Sequence, residues 1–329
     1  MGFTISGGVS ITGGISLTPP GGAPPTPAPY VFQGSNYGYT SGGGHGSSIF
    51  NIIDKFSFTS DGNATDVGDL TQARWGAAGQ SSSVSGYTSG GNFDVFPSVN
   101  SANTSDKFTF ASDGNATDVG DLTQSRDDTS GQSSSTSGYS SGGLASGTTH
   151  VNTIDKFPFA VDNNATDVGD LTVARRRTAG QSSSVSGYAA GGYGPVYSNI
   201  IDKFPFASDG NATDVGDLTI VGLSSGRQSP AGQSSTVSGY TSGGHDGYVG
   251  PINVIEKFPF ASDSNATDVG DITVARFSMA GQSSTASGYT SGGYETINII
   301  DKFPFASDGN ATDVGDLTQA RWGIAGQQY

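Results

Sequence analysis

One short phrase, Asp-Lys-Phe-x-Phe, recurs along the chain, beginning at Asp54, Asp106, Asp155, Asp202 and Asp301, and as Glu-Lys-Phe-Pro-Phe at Glu256. Each copy is followed by an Asn-Ala-Thr-Asp-Val-Gly-Asp segment, starting at Asn63, Asn115, Asn164, Asn211, Asn265 and Asn310. A third element, Gly-Tyr-x-x-Gly-Gly, places its tyrosines at positions 39, 87, 139, 188, 240 and 289. A repeat this regular restricts the fold, because each unit must bury its apolar face against a neighbour of the same kind. The six lysines lie 52, 49, 47, 54 and 45 residues apart, the length of one four-stranded propeller blade. The expected fold is therefore all-β: a six-bladed β-propeller of four-stranded blades over 30–329, with units near 30–74, 75–126, 127–175, 176–227, 228–276 and 277–329.

Composition agrees with turn-rich β-structure. Glycine (52) and proline (14) together reach a fifth of the 329 residues, which argues against a helical bundle. Eighteen Phe, 13 Tyr and 2 Trp supply the apolar bulk that a disordered chain lacks. Within a unit, four strands A to D are expected. The small residues Ser81–Ser85 suit an inner strand A near a crowded axis, and Tyr87 leads strand B to the Gly90-Gly91 break. Residues 51–58 form strand C, with Ile53 and Lys55 on one face and Ile52, Asp54, Phe56 and Phe58 on the other. Ala64–Leu70 forms strand D after an Asp61-Gly62-Asn63 turn. Proline in four copies of Lys-Phe-Pro-Phe points to a strand near the outer edge, since proline cannot donate to a ladder. The phenylalanine pairs are expected in the core between blades. The tail Arg321–Gln327 repeats the approach to strand A seen at Arg74–Gln80, which is the end-to-end match that ring closure requires.

Charge and cysteine usage exclude several functions. A net charge of −15 disfavours nucleic acid and anionic membrane as partners. No run of apolar residues is long enough to span a membrane as a helix, and the N-terminus has neither the basic start nor the apolar stretch of a secretory signal. The absence of cysteine removes disulfides and thiolate chemistry. The acidic phrase around Asp61–Asp69 offers oxygen ligands but lacks the closing bidentate Glu of a calcium loop. Its acids are read as scaffold, its lysines as locally paired with the adjacent aspartate, and no metal or cofactor is expected. The three histidines, His45, His150 and His245, fall in units one, three and five, too far apart for one shared metal. No nucleophile or acid-base group is set apart from its repeat siblings, so an enzyme is not expected.

The variation between units carries the functional signal. The A–B and C–D turns barely change, whereas the B–C and D–A loops, which emerge together on the opposite face, change in length and character. The B–C loops contribute Phe93, Phe96, Tyr193, Tyr197, Tyr248 and Tyr294 to this individual face. The D–A connections contribute Trp75, Arg126, Arg176, Phe277 and Trp322, with Arg175, Arg177 and Arg227 nearby. The same loops hold every acid outside the repeat set, Asp94, Asp127, Asp128, Asp246 and Glu295. Aromatic and arginine enrichment is the composition of a recognition surface, so these residues form the expected ligand-binding face.

The unit resembles the kelch repeat over about residues 30–329: an Arg, a short loop, an inner strand, then Tyr and the Gly-Gly pair, then two outer strands. Residues 1–18 differ in kind. Phe3, Ile5, Val9, Ile11, Ile15 and Leu17 alternate with small residues in short β-segments, forming an N-terminal β-arm expected to pair with another sheet, and 19–29 is a Pro/Gly linker. An arm joined to near-identical glycine-rich repeats is similar to virion proteins of tailed bacteriophages, fibre and decoration proteins above all. That resemblance implies a non-enzymatic structural component of an extracellular particle, a homo-oligomer held to other virion proteins by its arm, with a host surface glycan or protein as ligand. A propeller enzyme acting on surface glycans is the alternative.

Overall fold

The structure is a computed structural model that describes residues 32–329 apart from 95–99, 220–225 and 295–296. The arm residues Phe3 to Leu17, the linker and Phe96 therefore lie outside the described residues. Every regular element among the described residues is a β-strand, and the larger ones form six four-stranded antiparallel sheets. Sheet 2, for example, runs from Ala78–Ser81 (A) through Ser85–Ser89 (B) and Thr104–Thr109 (C) to Thr117–Asp121 (D), and sheets 3 to 6 follow in chain order with A strands Ser130–Ser133, Ala179–Ser182, Ala231–Ser234 and Ala280–Ser283. Sheet 1 is assembled from both ends of the described chain. Its B, C and D strands are Tyr37–Ser41, Ile52–Ser57 and Thr65–Asp69, and its A strand is the C-terminal Ala325–Gln328, paired antiparallel with Tyr37–Ser41.

Strand A differs from the expectation. It is the Ala-Gly-Gln-Ser segment, whereas residues 82–84 make the A–B turn. The Ser82 hydroxyl accepts the N–H groups of Val84 and Ser85, so it satisfies the turn locally instead of pairing in a ladder. The residue required where the A strands meet is glycine. A Cβ on Gly131 would sit 2.0 Å from the Gly79 carbonyl oxygen, and the Gly180, Gly232, Gly281, Gly326 and Gly79 positions meet the preceding glycine in the same way, closing a cycle. Strand C is third of four and not an edge. Its proline is accommodated because pairing with strand D ends before it, at Lys156 opposite Thr166 in sheet 3.

The two faces of strand C pack against different neighbours, as the alternation required. Ile53 joins Tyr39, Leu70 and Phe108 on the side of sheet 2, whereas Phe56 and Phe58 pack with Tyr289 of sheet 6. The same contact recurs at each junction: Phe108 and Phe110 meet Tyr39, and Phe157 and Phe159 meet Tyr87. Polar bonds repeat the cycle. The Gln80 side-chain amide donates to the Tyr139 carbonyl (2.9 Å), and Gln282 and Gln327 carry the series through Tyr39 and Tyr87.

Two sets of ion pairs join adjacent sheets. Buried Asp106 accepts the Thr71 N–H (2.9 Å) and hydroxyl from the end of sheet 1 and faces Arg74 at 2.8 Å, both side chains inaccessible to water. Equivalent pairs are Arg126–Asp155, Arg175–Asp202, Arg227–Glu256, Arg276–Asp301 and Arg321–Asp54. The lysines do not pair locally. Lys55 reaches Asp113 of the next sheet (2.8 Å), and the series ends with Lys302 on Asp61 of the first. The local aspartate is unavailable because it is turned to the buried arginine on the other face.

Candidate functional site

The B–C and D–A segments continue the sheets outward as a second layer. In each unit the residue after the buried arginine lies beside the first residues of the B–C loop: Trp75 pairs with Asn92, Arg176 with Tyr193 and Trp322 with Gly44. Arg126-Asp127 pairs with Leu144-Ala145, and Arg227-Gln228 with His245-Asp246. The Tyr294 N–H donates to the Phe277 carbonyl at 2.9 Å. Side chains at these two positions are cross-strand neighbours within a unit, and the cyclic order of the sheets brings each pair beside the next.

The result is an unbroken run of eight rings. His150 meets Tyr193 (centroids 5.6 Å), Tyr193 meets Tyr197 (5.3 Å), and Tyr197 meets His245 (6.3 Å). His245 continues to Phe277 (5.2 Å), which stacks on Tyr294 at 4.8 Å. Tyr294 approaches Trp322 (5.9 Å), and Trp322 meets Trp75 edge-on at 5.1 Å. Arg176 lies over the Tyr193 ring, 5.7 Å from its centroid. Tyr294 is 42% exposed and the other members are partly buried, so the arc is a supported surface and not a set of free side chains.

A polar sector fills the interval between Trp75 and His150. Asp127, buried to 1% exposure, accepts the Asn92 side-chain amide (2.9 Å) and the Ser101 hydroxyl (3.1 Å) on Oδ2, while Oδ1 has no partner among the described residues. Burial, and then the Asp128 charge, push its carboxyl up to about 6. Asp128 Oδ2 accepts Arg177 Nε (2.8 Å) and Arg176 Nη1 (3.3 Å). Burial, and then the Arg176 charge, lower the His150 pKa from its ordinary value.

Of the residues expected on the binding face, Trp75, Arg176, Tyr193, Tyr197, Phe277, Tyr294 and Trp322 are brought together. Phe93 lies beside the polar sector, partly buried and outside the arc. Tyr248 is 77% exposed and makes none of these ring contacts. Arg126 is withdrawn from the surface: it is fully buried, bonded to the Ser140 carbonyl and paired with Asp155. Its successor Asp127, not Arg126, occupies the loop position equivalent to Trp75. Arg175 and Arg227 are buried in the same way. His150 and His245 were not expected in the site. The signal available was that neither belongs to a repeated phrase, so the scaffold does not require them.

The acidic phrase is used by the scaffold. The Asn63 side-chain oxygen accepts the Asp316 N–H, Asp61 holds Lys302, and Asp66 accepts the Gly68 N–H. A scan against protein-family models finds none that matches this chain, and a search of curated proteins finds no relative. The kelch resemblance thus rests on the repeated residues alone.

Proposed function

We propose that the six sheets are the blades of a six-bladed β-propeller, and that the protein is a non-enzymatic recognition module whose individual face binds a surface glycan. The observation that carries the reading is the eight-ring arc, built almost entirely from residues that the repeat does not demand. Aromatic rings offer large, rigid apolar area with little entropy to lose on binding, which suits stacking against sugar rings.

The place of the segment that follows the linker supports a mounted arrangement. The described chain begins at Phe32 on the uniform face, where the Gly34 N–H donates to the Ser283 carbonyl beside an A–B turn and the Gln33 amide donates to the Ser234 carbonyl. The Asn36 N–H donates to the carbonyl of Tyr329, so residues 32–36 lie opposite the arc. An N-terminal arm that joins a neighbouring subunit, in a virion fibre or decoration layer, leaves the individual face pointing outward.

The test is binding of host surface polysaccharide to the Trp75→Ala/Tyr193→Ala double variant. A hot-spot truncation costs about 2 kcal/mol, roughly thirtyfold in affinity, and the melting temperature should stay near that of the parent. Binding that survives this variant but falls on changes to the A–B or C–D turns assigns the ligand to the other face. Deleting residues 1–29 should leave a folded protein that no longer assembles. The alternative is a propeller enzyme acting on surface glycans, whose candidate acid would be Asp127, raised in pKa by burial but only 1% exposed. Release of reducing ends from that polysaccharide, abolished in Asp127→Asn, establishes hydrolysis instead.

A further inference from the structure

The position two residues after each buried arginine is left-handed in all six units, with φ of +68° at Gly76, +52° at Asp128, +59° at Arg177, +55° at Ser229, +57° at Ser278 and +63° at Gly323. Glycine adopts this conformation freely and other residues do not. The two glycine copies show that the scaffold is content with glycine. Asp128, Arg177, Ser229 and Ser278 hold it at a cost, and strain held where a relaxed residue would serve points to a function.

These positions surround the mouth of an axial pocket of about 80 Å³, the volume of roughly two or three waters. Its lining is divided. Sheets 3 to 5 contribute Asp128, Thr129, Arg177 and Ser229 together with Pro230, and the facing half from sheets 6, 1 and 2 is mostly apolar, with Met279 and Ile324 beside the single hydroxyl of Ser278. The Thr129 and Ser229 hydroxyls are buried and have no partner among the described residues. Asp128 is shared by Arg177 and Arg176, and the neighbouring Asp127 supplies the second carboxylate, so with Asp127 ionised the two acids and two arginines balance and the pocket offers a carboxylate acceptor and a guanidinium donor side by side.

We infer that this axial pocket binds the edge of one neutral sugar ring, the terminal residue of the glycan whose chain lies on the aromatic arc. An acceptor beside a donor matches a pair of adjacent hydroxyls, and the apolar half matches the C–H face of the same ring. A charged sugar finds no uncompensated cation there, in a protein of net charge −15. The inference rests on the glycan reading, and its failure is separable from the failure of that reading.

The experiment titrates methyl glycosides of neutral hexoses and N-acetylhexosamines, with methyl glucuronoside and inorganic phosphate as anionic arms, into protein carrying ¹³C-methyl methionine. The chain has only two methionines, Met1 and Met279, so the Met279 signal reports the pocket wall, from which its methyl packs inward beside Gly243 and Ile272. At least one neutral glycoside should shift the Met279 methyl. The Asp128→Gly/Arg177→Gly variant, which installs the residue that Gly76 and Gly323 already carry, should melt no lower than the parent and lose at least tenfold in affinity. A Met279 methyl unmoved by every neutral glycoside, stronger binding of either anion, or unchanged affinity in a folded double variant overturns the inference. If the double variant does not fold, the Met279 shift in the parent decides. Polysaccharide bound through Trp75 and Tyr193 with Met279 unmoved leaves the recognition face standing and removes this pocket from it.

Discussion

The junctions between sheets and the individual face are built from the same repeating chain, yet they treat its residues in opposite ways. At the junctions every unit supplies the same arginine, carboxylate, tyrosine and phenylalanine pair. On the individual face, Trp75, Asp127, Arg176, Gln228, Phe277 and Trp322 occupy one equivalent position. Burial explains the contrast. A guanidinium with no access to water has to meet its carboxylate in every unit, because a missing partner leaves a buried charge unpaired. A residue one step further along the chain is partly exposed in every unit but that of Asp127, and no such requirement applies to it. Changes at the junctions should therefore be read in stability, and changes on the individual face in binding.

The largest effect is expected from Arg74→Met. Burial lowers the Arg74 pKa and Asp106 draws it back up, so the pair persists only as a pair. Removing the cation strands Asp106 and should cost about 3–5 kcal/mol in chemical denaturation. The double change Arg74→Met/Asp106→Leu should recover part of that loss. A single variant as stable as the parent would remove the distinction between the two regions.

Asp127 tests the boundary, since it is a buried acid belonging to the individual face. Its folded pKa of about 6 lies above the ordinary value, so the folded state holds the proton more tightly. The stabilisation from protonation is complete below about pH 3.9 and is lost as the pH rises through 6. Asp127→Asn should accordingly stabilise the protein by on the order of 2–3 kcal/mol at pH 7.5, and the gain should vanish near pH 4. A gain that does not depend on pH would show that the carboxyl is not the group responsible.

The smallest effect sharpens the comparison from within the junctions. Lys156–Asp209 repeats as faithfully as the arginine pairs, but its side chains are 29% and 57% exposed. The hydrogen bond to Asp209 raises the Lys156 pKa, yet solvent screens most of the attraction. Lys156→Ala should cost less than about 1 kcal/mol, and added salt should shrink the difference further. A loss comparable with that of Arg74→Met would mean that repetition, not burial, measures the energy.

Much of the architecture was legible in the chain. The spacing of the Asp-Lys-Phe phrases announced six equivalent units, and alternation along Ile52–Phe58 put Ile53 and Phe56 on opposite faces, because a strand has a fixed period of two. The match between Arg321–Gln327 and Arg74–Gln80 read as the approach to a strand A that closes the ring, whereas the structure makes the tail itself, Ala325–Gln328, the strand that pairs with Tyr37–Ser41. Sequence reading also found most of the aromatic arc, since residues outside a repeat are visible by comparison within the chain. Other features required the third dimension. Arg126 and Arg176 hold successive positions of the repeat, and only the packing of sheet against sheet shows that the first position is buried and the second lies over Tyr193. Lys55 stands next to Asp54 in the chain, but opposite faces of a strand separate them, and the distant Asp113 becomes the partner. The glycine in Ala-Gly-Gln-Ser is demanded by a neighbouring backbone some fifty residues away. Period and composition are properties of the chain and set the number and kind of sheets. Burial and long-range contact belong to the assembled sheets, and they alone decide which charges pair and which rings meet.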